Sequence, residues 1–249
     1  MGLLNKLGIG IGSQTSRDVS RPNPLAGRIH APGASLPAPG APRAPEMQSY
    51  NRVSNGLKEF LWNLDGLGRG TLLDLGPAWQ TTLTFFIERG FRVTSDDLLR
   101  SWKMFLDEEE VRLKNAVAAS DEVDLTAAGR AVRFLQDNLK YPPSSFDAVL
   151  LWDILDYVEP TAAKRCAACL TELLRPGGIL FAMFHSKKPD SFQRYRVADS
   201  STLQVISATP LCPAQRVYQN REIQDLFGRF RTMKSFVGRD QLRETLFIK

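Results

Sequence analysis

Cysteine is scarce: three thiols among 249 residues, Cys166, Cys169 and Cys212. They do not make a disulfide framework, which fits a reducing compartment. Cys166-Ala-Ala-Cys169 has metal or redox spacing. No second Cys or His pair completes a zinc site, however, and the flanks are those of a small-residue helix, so the pair reads as packing and no metal is expected. Long apolar runs are missing too; nothing approaches the ~18–20 residues that a membrane-spanning helix needs. The stretch from Met1 to Gly12 is too short in apolar residues, and lacks the small-residue cleavage site, for a secretory signal. Lys6 stands where a myristoylation motif wants Ser or Thr. A soluble, cytoplasmic protein without a membrane span is the expectation. A strong excess of one charge is also lacking. The net charge is +5, but residues 1–46 hold five Lys/Arg against two acids, leaving the rest of the chain at +2. That excludes a duplex-coating electrostatic footprint and favours a small-molecule partner over nucleic acid.

What is present falls into two parts. Seven of the fifteen prolines lie between Pro22 and Pro45, interleaved with Ala, Gly and Ser. Residues 1–46 therefore read as a disordered Pro/Ala-rich tail, either a linker or a docking peptide for a protein partner. Residues 47–249, part of a chain that is 43% hydrophobic, suffice for one large core. Val53, Leu57, Phe60 and Leu61 recur at helical spacing, predicting a helix over 48–64. Residues 71–75 read as a strand, 81–89 as a helix, 91–95 as a strand, and 98–119 and 126–135 as helices. The nearly continuous apolar run Phe146 to Trp152 predicts a strand buried on both faces. A helix over 161–174 and a strand over 179–184 follow. Strand-like segments come next around 202–208 and 216–218, then a helix near 220–227. Residues 230–237 and 242–248 are strand-like runs at hairpin spacing. The fold class is α/β: a doubly wound, mostly parallel sheet closed by a terminal antiparallel hairpin.

In such a sheet ligands bind at the carboxyl ends of the strands, near the point where strand order reverses. The residues there are Gly76-Pro-Ala-Trp-Gln80, Asp96-Asp97, Trp152-Asp153 and His185-Ser186. Leu72-Leu-Asp-Leu-Gly76, Val93-Thr-Ser-Asp-Asp-Leu98, the stretch Asn138 to Asp153, and Leu173-Leu-Arg-Pro-Gly-Gly-Ile-Leu180 occur in the order found in the class I S-adenosylmethionine-dependent methyltransferases, which residues 50–249 resemble. The resemblance implies a Rossmann-like methyltransferase fold, S-adenosylmethionine as cofactor and an unidentified methyl acceptor. It also implies that the cofactor is contacted by Asp74, Gly76, Pro77, Ala78, Asp97, Leu98, Asn138, Trp152 and Asp153.

A Gly in the first turn lets backbone approach the cofactor, and a carboxylate after the second strand can accept both hydrogen bonds of a ribose diol. Asp97 takes that role in the resemblance; a plain helix N-cap is the other reading. Asp74 supports the first turn or is structural. His185, and Tyr157 with Asp153, are the general-base candidates; an ordinary strand-end histidine and a packed tyrosine are the alternatives. Phe192, Tyr195 and the segment to Tyr218 are read as a substrate lid or a surface hairpin. The family's loop carries three alternating glycines, of which this chain keeps the first. Each lost Gly restores a Cβ, and Trp79 either turns outward or fills the place of the cofactor's methionine part. Two functions follow: a methyltransferase, or a protein of the same fold that has lost catalysis and serves as a binding or scaffold module. A nicotinamide-dependent oxidoreductase is disfavoured because Gly-x-Gly-x-x-Gly is absent.

Overall fold

The computed structural model describes residues 48–119 and 126–249, so the expectations for the tail, residues 1–46, lie outside the described residues. The elements are β1 (Ser49–Val53), α1 (Asn55–Leu64), β2 (Gly70–Asp74), α2 (Gln80–Ile87), β3 (Phe91–Ser95), α3 (Leu98–Ala119), α4 (Ala127–Asn138), β4 (Phe146–Trp152), α5 (Pro160–Leu173), β5 (Leu174–His185), β6 (Gln193–Val197), β7 (Thr202–Ser207), α6 (Asn220–Leu226), β8 (Thr232–Val237) and β9 (Leu242–Ile248). Six strands form the main sheet in the order β3-β2-β4-β5-β9-β8. The first four are parallel; β9 runs antiparallel to both β5 and β8. This is the doubly wound α/β sheet with a terminal antiparallel hairpin. The chain leaves β2 for β3 on one side and returns to β4 on the other, so the switch point lies between the carboxyl ends of β2 and β4.

The core follows from period-two alternation in strands buried on both faces. Val149 and Leu151 of β4 pack with Leu73, Trp102, Phe134 and Leu170 on one face. Ala148, Leu150 and Trp152 pack with Leu57, Phe60, Phe86 and Phe181 on the other. Each such Leu or Phe, taken fully out of water, contributes ~1.5–3 kcal/mol before entropy is counted. Helix starts follow local chemistry. Ser54 Oγ accepts from Leu57 N (2.9 Å) at α1, Thr126 caps α4, and Gln219 with Glu222 forms a capping box at α6.

Two readings of the sequence need correction. The helix expected over 48–64 begins only at Asn55, and Ser49–Val53 is a strand paired antiparallel with β7. Long-range pairing overrides the helical spacing: Arg52 reaches Glu244 of β9 in a buried ion pair and Asp240 in a half-buried one, and Val53 is left exposed. Residues 216–218 are not a strand; Gln215 N and Arg216 N both donate to Asp156 O, which holds the segment as a loop. The covering sheet β1-β7-β6 was not foreseen as a layer. Among the described residues no helix is long and apolar enough to cross a membrane.

Candidate functional site

The switch point is built around Asp74, the last residue of β2. Its Oδ1 accepts from Gly76 N (3.0 Å) and from Trp152 Nε1 (2.7 Å). Burial raises the carboxyl to about 6, against the pull of the Trp152 and Gly76 donors. Trp152 reaches Asp74 because β4 ends in a register shift against β5 between Leu150 and Trp152, with Trp152 itself at φ +56. That backbone turns the indole inward, over the first loop. A Cβ placed on Gly76 would lie 2.6 Å from Trp152 Nε1, so the glycine is needed here to admit the indole.

Tyr195 of β6 lies nearly parallel to this indole (ring centroids 6.0 Å apart, 12° between planes), and its hydroxyl donates to Asp153 Oδ2 (3.2 Å). Beside it, Arg194 forms an ion pair with Asp97 (3.1 Å). Asp97 also accepts from Arg100 N (3.1 Å), the N-cap geometry of α3. Val197 N donates to Thr82 Oγ1 (2.9 Å). The β6 strand is thus fastened at four points across the carboxyl ends of the main sheet. Phe192 and Tyr195, for which the sequence allows a lid or a surface hairpin, are both buried in this cover.

A second polar group lies at the ends of β4 and β5. Asp156 Oδ2 accepts from His185 N (2.7 Å) and meets His185 Nδ1 (2.9 Å), while His185 Nε2 stands 3.8 Å from Asp153 Oδ2. Burial raises Asp153 to about 6 although the His185 charge opposes it, and burial raises Asp156 as well. Burial pulls the imidazole down, but the bond to Asp156 and the charges of Asp153 and Asp156 outweigh it and raise its pKa. Tyr157 packs edge-on to His185 (6.2 Å) and Phe192 (5.2 Å).

The structure therefore gathers Asp74, Gly76, Asp97, Trp152, Asp153, His185 and Tyr157 at one sheet edge. Leu98 is buried and donates its N–H to Leu75 O (3.1 Å); Pro77 is half-buried and Ala78 exposed. Asn138 bonds to Phe134 O within its own helix (2.9 Å), not to the residues of the crevice. Trp79 is half-buried, with the Arg196 guanidinium 5.6 Å above its ring. Trp152, rather than Trp79, is the tryptophan that stands over Gly76. Asp156 and Arg194 were not singled out from sequence. The alternation of Tyr195 and Val197 with Arg194 and Arg196 was the available signal for a strand with one buried face.

No protein-family model matches the chain, and no curated protein matches it. Among solved structures it is similar to the 1,6-didemethyltoxoflavin-N1-methyltransferase of Burkholderia thailandensis, at 17% identity over 78% of each chain with a TM-score of 0.39. It is also similar to an S-adenosylmethionine-dependent methyltransferase from Mesorhizobium loti, at 15% identity over 77% of this chain and 96% of that one, TM-score 0.41. A third is such an enzyme from Methanosarcina mazei, at 16% identity over 73% and 93%, TM-score 0.40. The fold is methyltransferase-like. Its strand order, its switch point and the antiparallel closing pair give it that character.

Tested against the cofactor this fold implies, the residues as arranged do not fit. The face of Gly76 where backbone would meet a ligand is taken by the Trp152 indole, and the Asp97 carboxylate is already shared between Arg194 and Arg100 N.

Proposed function

We propose that this chain is a methyltransferase-fold protein that has lost catalysis and serves as a binding or scaffold module. The observation that carries the reading is Trp152: buried and bonded to Asp74, it stands against Gly76, where backbone would otherwise meet a ligand. Admitting a ligand there would require moving the indole, unstacking Tyr195 and breaking the Arg194–Asp97 pair. A protein whose binding-competent state is rarely populated shows an affinity reduced by that fraction. Calorimetric titration of the full chain with S-adenosylmethionine and S-adenosylhomocysteine should therefore give no saturable binding tighter than about 1 mM, which corresponds to ~−4 kcal/mol. A micromolar Kd for either overturns the proposal.

One observation favours a second reading, a methyltransferase acting on a small-molecule acceptor. Asp97, Asp153 and the Asp156–His185 pair stand at the same carboxyl edge, where such an enzyme would need them. It requires the β6 cover to open, and the same titration decides between the two.

A further inference from the structure

At the opposite end of the sheet, by the amino ends of β2 and β3, lies a cavity of about 570 Å³ that plays no part in the crevice described above. We propose that it binds a small amphipathic anion: a flat apolar body carrying one acidic group. Its volume falls within the ~300–1,000 Å³ range of small-ligand pockets. Leu61, Leu64 and Phe91 give it apolar walls. The turn through Gly66 and Gly68, at φ +86 and +62, also lines it, and a Cβ on either would meet nothing within 4 Å.

Trp62 stands at the mouth. It belongs to the last turn of α1, whose core face is Gly56, Leu57, Phe60 and Leu64, yet it is 76% exposed. A large indole left in water beside an apolar cavity gains by stacking on a flat ligand. Two cations line the same cavity, Lys58 and Arg89, against one acid, Asp65. Arg89 is held in place, its guanidinium 3.5 Å over the Phe85 ring and its Nη1 donating to Phe85 O (2.9 Å). Among the described residues no carboxylate forms an ion pair with Arg89 or Lys58. A guanidinium fixed by Phe85 and without a carboxylate partner, in the lining of an apolar cavity, is suited to a carboxylate, sulfonate or phosphate oxygen. The excess of a single positive charge selects a monoanion.

The test uses anilinonaphthalene sulfonate, a flat apolar body with one sulfonate, titrated into the full chain while its emission is followed. One saturable site per chain is expected. Affinity should fall at least tenfold in Lys58→Gln/Arg89→Gln and in Trp62→Ser, and at least tenfold for the uncharged phenylnaphthylamine. Trp62 is exposed, so Trp62→Ser should keep its unfolding midpoint even if the double variant does not. Unchanged affinity in Trp62→Ser, equal binding of the uncharged probe, or no saturable binding each overturns the proposal.

Discussion

A tryptophan at φ +56 is held in a conformation that bulky side chains rarely adopt, at a cost of ~1–3 kcal/mol. At Trp152 the cost is offset by burial of the indole against Phe181 and Tyr195 and by its bond to Asp74. Trp152→Ala removes all three and leaves a cavity, so its urea midpoint should report a loss of ~3–5 kcal/mol. Trp152→Phe keeps most of the ring contact but drops the N–H; Asp74 Oδ1 retains Gly76 N, and the loss should be only about 1–2 kcal/mol. Equal losses in the two variants would mean that the hydrogen bond, not the packing, holds the indole in place.

The carboxylates beside it make a pH prediction. Asp74 and Asp153 each have a folded pKa raised to about 6 from 3.8, so between those values the folded state binds more protons than the unfolded one. Their contribution is fully present below about pH 4 and is lost as pH rises through 6. His185, also raised, loses its contribution in the same direction at higher pH. Asp153→Asn cannot titrate at that position. Its stability should therefore gain on wild type as pH rises from 4.5 to 7, by roughly 2 kcal/mol, since part of the shift is already expressed at pH 4.5. A pH-independent difference between the two proteins would show that Asp153 is ionised throughout.

Among the elements, β1 is the most instructive. Its residues show helical spacing with α1, yet they form a strand because β7, some 150 positions later, offers an edge and because Arg52 finds Glu244 and Asp240. Glu244 Oε2 in turn accepts from Gly56 N (2.6 Å), so one buried carboxylate joins β9, β1 and the start of α1. Arg52→Met would leave that charge buried without its partner, and chemical denaturation should show a loss of ~3–5 kcal/mol. The β4 strand shows the opposite case. Seven apolar-rich residues in a row are legible without a structure, because a strand covered on both faces has no polar alternation to conceal it.

For the whole molecule, the order of strands and helices in the main sheet was readable from the chain, since burial patterns are local and each element carries its own; the strands of the covering sheet at 49–53 and 193–197 were not. So was the sheet edge at which Asp74, Asp97, Asp153 and His185 meet, because a doubly wound sheet sends every parallel strand's carboxyl end to the same side. What the chain by itself did not determine is what stands at that edge. Trp79 and Trp152 are both tryptophans beside the crevice in sequence. Only the bulge at the end of β4, set by its register against β5, turns Trp152 over Gly76, while Trp79 packs beneath Arg196. Likewise Asp97 was legible as a strand-end acid, but its partner Arg194 lies 97 residues away on a strand of the second sheet. Periodicity reports which face of an element is buried. Which side chains meet across that face depends on register and on the stacking of layers, and these are fixed only when the whole chain packs.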